Sequence, residues 1–199
     1  MSGCGGVATP IPRRLVHIPA IHNAADLGCA AGQAQSRFSD EEWKAHQRAV
    51  EAYWAGVGRC LEEMSIDYPR VRLYHDSLVV DGEPGRRMVR DLAAKGSLDF
   101  GLTAMLLEKG AQLMRTEDPG LLLKEYQCIT GPSPSPEEQA EILRERDRYV
   151  ARRISTTLRQ GETGILIMGA LHQIRRYLPP DIEVVTTTPP ARLSSAAPQ

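Results

Sequence analysis

The stretch Gly164-Ile-Leu-Ile-Met-Gly169-Ala-Leu-His172 constrains this chain more than any other. Four consecutive large apolar residues bounded by glycines suit a strand covered on both faces, because a strand with one wet face would alternate apolar and polar residues. A doubly covered strand implies a parallel sheet with helices on either side. Gly169 is expected to turn the chain tightly where the strand ends. His172 then stands just past the strand's carboxyl end, where open α/β sheets place their ligand sites.

The rest of the chain supplies the partners such a strand needs. Residues 15–21 are apolar and β-branched and predict a first strand, followed at once by His22; Pro19 sits awkwardly in it, since proline cannot donate to a ladder. Ser39-Asp-Glu-Glu42 is a capping-box pattern opening a proline-free helix to about residue 65. Trp43, Val50, Trp54, Val57 and Leu61 recur on one face of it. Residues 71–74 predict a second strand that delivers His75 and Asp76. A turn is expected over residues 82–85, then helices over 86–94 and 98–109, with Gly110 as the stop. Residues 111–114 predict a third strand, whose exit carries Thr116, Glu117 and Asp118.

A helix is expected over residues 119–129. The segment 130–136, with three prolines in seven residues, is expected to be irregular. Ser135 should cap a helix to about residue 160, with Glu138 completing a second capping box. Arg146 and Arg153 interrupt its apolar stripe. Residues 171–177 predict a short helix or turn, and 181–185 a last strand.

Strands alternating with helices predict a mainly parallel open sheet with helices on both faces, an α/β fold. At 199 residues a single domain over 13–186 is expected. Residues 1–12 are expected to be a flexible amino terminus, and 187–199, rich in Thr, Pro, Ser and Ala, a mobile tail.

Charge and cysteine usage narrow the function classes. With Lys+Arg 24 against Asp+Glu 25 and a formal net charge of -1, nothing favours nucleic acid or an anionic membrane as a partner. Cys4, Cys29, Cys60 and Cys128 show neither a disulfide framework nor zinc-knuckle spacing. No secretory h-region and no apolar run near the roughly 20 residues needed for a membrane span occurs. The expectation is a cytoplasmic protein.

In a parallel sheet every strand ends at the same edge. His22 with Asp26, His75 with Asp76, Glu117 with Asp118, and His172 are therefore expected along one rim. Imidazoles and carboxylates there can hold a divalent cation that activates water, or act directly as general base and acid. His22 and His172 are the expected metal-binding and catalytic histidines, and Glu117 the acid/base; His75, Asp76 and Arg146 are expected ligand-binding positions. The donor types accept zinc, manganese, iron or cobalt alike. Blander roles compete: a turn for His75-Asp76, a helix-dipole partner for Glu117-Asp118, a satisfied strand residue for His17, a solvated one for His46, a snorkelling side chain for Arg146. A phosphate cradle is excluded, since neither GxGxxG nor GxxxxGK[ST] is present.

Arg146-Asp147, followed by helix, apolar strand and Gly169-Ala-Leu-His172, resembles the closing motif of the TraB, ChaN, Tiki and erythromycin-esterase-like superfamily, most of all its TraB/pheromone-shutdown branch. Pro19-Ala-Ile-His22 sits where that superfamily's first GxxH motif falls, and Glu117 offers an acidic residue between the two. The resemblance spans about residues 15–185. It implies an α/β fold with two histidines at the active edge, in proteins described as metal-dependent proteases, hydrolases or haem-binding proteins.

These readings converge on a hydrolase acting on a peptide or ester bond of a small-molecule or peptide substrate, with water as nucleophile and a divalent metal assisting. A non-catalytic module binding a small ligand or haem on the same rim is the alternative. A regulatory protein that has kept the fold and lost the chemistry is the third, and Pro19, where the first motif has glycine, argues for it.

Overall fold

The computed structural model describes residues 12–27, 32, 35–130 and 135–187. Five strands, β1 (Arg13–Ala20), β2 (Val71–His75), β3 (Gln112–Met114), β4 (Thr163–Gly169) and β5 (Ile182–Thr186), form one sheet. Its order is β3-β2-β4-β1-β5, and every pairing is parallel. The helices are α1 (Ala24–Leu27), α2 (Asp40–Glu63), α3 (Gly82–Ala94), α4 (Leu98–Glu108), α5 (Pro119–Thr130) and α6 (Pro136–Thr157). The expected α/β class is what is found. The expected amino-terminal segment and carboxyl-terminal tail lie almost wholly outside the described residues.

The sheet is covered on both faces, as the apolar run of β4 requires. Ile165 and Ile167 point to a core shared with α2, α3 and α4, where Trp54, Val57, Leu61, Val89 and Leu106 are buried. Leu166 and Met168 point to the other face, where Val150, Ala151, Ile154 and Leu158 close over them. Both glycines of the run belong to the strand, and Gly164 serves space. A Cβ on Gly164 would come within 2.6 Å of Leu15 Cδ1, so the α6 side of the sheet packs down onto bare backbone there. The expected tight turn at the end of the strand is present, with the Gly169 carbonyl accepting the His172 N–H at 3.2 Å, and Gly169 makes it without entering the left-handed region.

Local signals explain most boundaries. Ser39 makes the full capping box: its hydroxyl accepts the Glu42 N–H at 3.3 Å, and Glu42 accepts the Ser39 N–H at 2.8 Å. The second box is half made, since Ser135 accepts the Glu138 N–H but turns its own hydroxyl to Glu137. Gly110 ends its helix at φ 103, a conformation that suits glycine at a helix stop. The turn expected over 82–85 is instead the first turn of α3.

Pro19 is accommodated although β1 is a central strand. The β1–β5 pairing ends at His17–Thr186, two residues earlier. Beyond that point β1 has no ladder partner on its β5 side, and the Pro19 carbonyl accepts the Tyr53 hydroxyl at 2.6 Å. A missing N–H there costs no sheet bond.

Candidate functional site

The chain leaves β2 toward β3 at one edge, and leaves β4 toward β5 at the other. The carboxyl ends of β2 and β4, adjacent in the sheet, thus form a topological switch point, where the loops part and open a crevice. His75 and Asp76 arrive from β2, Gly169 and His172 from β4. The β2 exit is held firmly. Thr116 Oγ1 accepts the His75 N–H at 3.0 Å, and the Leu78 carbonyl accepts the Thr116 and Glu117 N–H groups at 2.9 and 3.0 Å. Between these anchors Ser77 adopts φ 64, a left-handed conformation that costs a non-glycine residue about 1–2 kcal/mol. Strain of this kind persists where its surroundings fix it, often beside a functional site.

On the α6 side of the crevice, Arg146 sits at the centre of a buried ion cluster. Its guanidinium reaches Asp76 Oδ1 at 2.7 Å, Glu117 Oε1 at 2.7 Å and Glu125 at 2.7 Å. At 4% exposure it does not snorkel; it lies within the protein and organises three carboxylates. Burial works to raise the Asp76 pKa, but Arg146, helped by His172 and His75, outweighs it and holds the carboxyl below its ordinary value. Glu117 moves the other way: its burial exceeds what its share of Arg146 returns, so its pKa is raised. Burial alone would lower the Arg146 pKa, yet the surrounding carboxylates raise it, so the guanidinium stays charged.

His172 belongs to this side. Its Nδ1 lies 2.6 Å from Asp147 Oδ1, and the second Asp147 oxygen accepts the Gln173 N–H at 2.8 Å. Both side chains are nearly sealed, at 5% and 3% exposure. A Cβ on Gly169 would stand 3.6 Å from His172 Cδ2 and 3.8 Å from Asp76 Oδ2. Both are ordinary van der Waals distances, which place Gly169 directly between the imidazole edge and the Asp76 carboxylate.

Across the crevice a cleft of about 260 Å³ is lined by His22, Asp26, His75, Asp76, Ser97 and Asp99 among others. His75 is 2% exposed and stacks on Phe100, with ring centroids 4.1 Å apart. His75 Nδ1 lies 2.6 Å from the Asp76 carbonyl, and since a carbonyl only accepts, Nδ1 carries the hydrogen. Nε2 has no hydrogen-bond partner and faces Asp99 Oδ2 at 3.7 Å. His22 Nδ1 stands 3.9 Å from Asp26 Oδ2 and 4.0 Å from Asp99 Oδ2. Burial, with the Asp99 charge nearby, raises the Asp26 pKa against the hydrogen bonds it accepts.

The expected rim residues thus fall into two groups joined at Asp76. Asp76, Glu117, Arg146 and His172 come together on the α6 side; His22 and His75 gather with Asp26 and Asp99 on the other. Among the described residues, the group whose ligand atoms all lie within 4.8 Å contains His22, Asp26 and Asp99 and not His172. Asp118 caps α5 locally by accepting the Gly120 N–H. His46 is exposed and stacks on Phe38, and His17 is half-buried, with burial lowering its pKa.

Sequence reasoning did not single out Asp99, and placed Asp147 only through a resemblance. A signal for Asp99 was present: it is the one charged residue in the otherwise apolar and small stretch 98–107, and a lone carboxylate in a helix that must be buried needs a reason. No helix among the described residues is long and apolar enough to cross a membrane. No family model matches the chain, and neither a curated protein nor a solved structure matches it.

Proposed function

We propose that this chain is a hydrolase of peptide or ester bonds that uses water as nucleophile at the switch point between β2 and β4. The observation that carries the reading is the sealed His172–Asp147 pair. Asp147 fixes the Nδ1–H tautomer and stabilises the imidazolium, so that Nε2 takes a proton from water as general base. Among the described residues, the side-chain hydrogen bond His172 makes is to Asp147 and none is to a serine or cysteine, which favours water over a covalent nucleophile. Asp76, ionised beside Arg146 and open to the cleft, orients the water or the substrate. Glu117, fully buried, works through Arg146 rather than by touching substrate. The GxxH-like elements and the Arg146-Asp147 pair support kinship with the TraB, ChaN and Tiki proteins on motif grounds.

The neighbouring cleft of about 260 Å³, which Asp76 lines and His172 does not, lies just under the ~300–1,000 Å³ of clefts that engulf drug-sized ligands. That size favours a scissile group and one flanking side chain over a haem macrocycle. The test is hydrolysis of a panel of p-nitrophenyl esters and fluorogenic peptides, with and without added divalent metal. His172→Ala and Asp147→Asn are each expected to lower kcat by roughly 10²–10⁴-fold, the range for a positioned general base. Wild-type rates no higher than the uncatalysed reaction, or full activity in His172→Ala, overturn the reading.

A further inference from the structure

We infer that His22, Asp26, His75 and Asp99 form a divalent transition-metal site on the α2–α4 side of the cleft. The proposal goes beyond the hydrolase reading, because metal binding is measurable without any turnover.

The case begins with a count of donors and acceptors. Asp99 Oδ1 receives the Ser97 hydroxyl and the Phe100 N–H. Asp26 Oδ2 receives the Asn23 N–H at 2.8 Å. That leaves Asp26 Oδ1 and His75 Nε2 buried with no hydrogen-bond partner, the latter 3.7 Å from Asp99 Oδ2. Buried polar atoms are nearly always paired, and here lone pairs converge from separate elements: the β1 exit, the β2 exit and the first turn of α4. A cation among them would supply the missing partner.

The ligand geometry fits. Bonds of about 2.1 Å at tetrahedral angles put ligand atoms about 3.4 Å apart. The observed separations of 3.7, 3.9 and 4.0 Å approach that: His22, Asp26 and Asp99 lie within 4.8 Å of one another, and His75, outside that group, reaches it through Asp99 and must move further to join. His75 also has the outer support a metal-binding imidazole requires, its Nδ1–H donated to the Asp76 carbonyl and its ring fixed on Phe100. Half-exposed His22 leaves the site open on one side. Two imidazoles and two carboxylates, without thiolate, suit zinc, manganese, iron(II) or cobalt over calcium and magnesium, which prefer all-oxygen sets. A cation held there would lower the pKa of a bound water, within the same cleft that Asp76 lines.

Isothermal titration of the full chain, stripped with chelator, against zinc chloride tests this. One ion per chain is expected. His22→Ala, on an exposed residue that does not threaten the fold, and His75→Ala are each expected to weaken binding beyond the roughly 10–100-fold typical of losing an outer-shell partner, whereas His172→Ala retains it. Cobalt(II) should give the visible bands of a nitrogen and oxygen site. Any of three results overturns the assignment: no stoichiometric binding, unaltered binding in His22→Ala, or a thiolate-to-cobalt charge-transfer band placing the ion on cysteine. Loss in His172→Ala with retention in His75→Ala would move the ion to a His22–His172 pair and also overturn it. A hydrolase reading that fails leaves these titrations unchanged.

Discussion

The two arms of the crevice are built from the same residue types and are satisfied in opposite ways. On the α6 side, donors match acceptors: Arg146 serves three carboxylates, and Asp147 takes one hydrogen from His172 and one from Gln173. On the α2–α4 side, acceptors outnumber donors, and His75 Nε2 and Asp26 Oδ1 are left over. A paired arm is pre-organised and holds its geometry without help. An unpaired arm stores unmet demand, which a ligand can relieve. The difference separates residues that position chemistry from residues that await a partner.

Arg146 offers the largest test of the contrast. Arg146→Leu leaves Asp76, Glu117 and Glu125 without their shared cation. Breaking a buried ion network from one side costs about 3–5 kcal/mol. Urea unfolding should show that loss, while Arg146→Lys should lose less but still suffer, because an ammonium cannot reproduce the guanidinium fork. His22→Ala in the other arm should change stability by no more than about 0.5 kcal/mol. Equal losses in the two arms would mean that the paired arm is not the structural one.

How much of this was legible beforehand follows from how local each feature is. The parallel sheet could be read because the Ile165–Met168 run admits few alternatives, and the rim because parallel strands end together. The division of that rim could not be read. Which of His22 and His75 faces which carboxylate depends on α4 folding back beside the β1 exit, a long-range contact with no periodic signature. Arg146 looked like an interruption in an apolar stripe, since a single helix does not show that Glu117 and Asp76 lie beneath it. The turn at Gly169 was legible because a glycine closes the apolar run, and its carbonyl accepts the His172 N–H at 3.2 Å.

Asp99→Asn carries the comparison further, with the opposite sign. The amide oxygen can keep the bonds from Ser97 and Phe100, while the amide nitrogen takes the place of Oδ2 and donates to His75 Nε2, now 3.7 Å away. Supplying a donor to an orphaned buried acceptor is worth about 0.5–1.5 kcal/mol. The metal-free variant should therefore be more stable than wild type in urea unfolding, and should bind zinc more weakly. A metal-free Asp99→Asn protein less stable than wild type would show that the left-over acceptors are already satisfied.

The smallest effect lies inside the paired arm and concerns Glu117. Burial raises its pKa above the ordinary value of 4.5 despite Arg146, so the folded protein binds this proton more tightly than the unfolded chain does. Its contribution to stability is fully present below 4.5 and is lost as pH rises through the folded value. Arg146 opposes part of that loss. Glu117→Gln removes the titration and keeps an acceptor for the guanidinium. Thermal unfolding followed from pH 4.5 upward to neutrality should show wild type losing stability relative to Glu117→Gln. Parallel curves would mean that Arg146 compensates Glu117 in full, and the paired arm would then be balanced group by group as well as in sum.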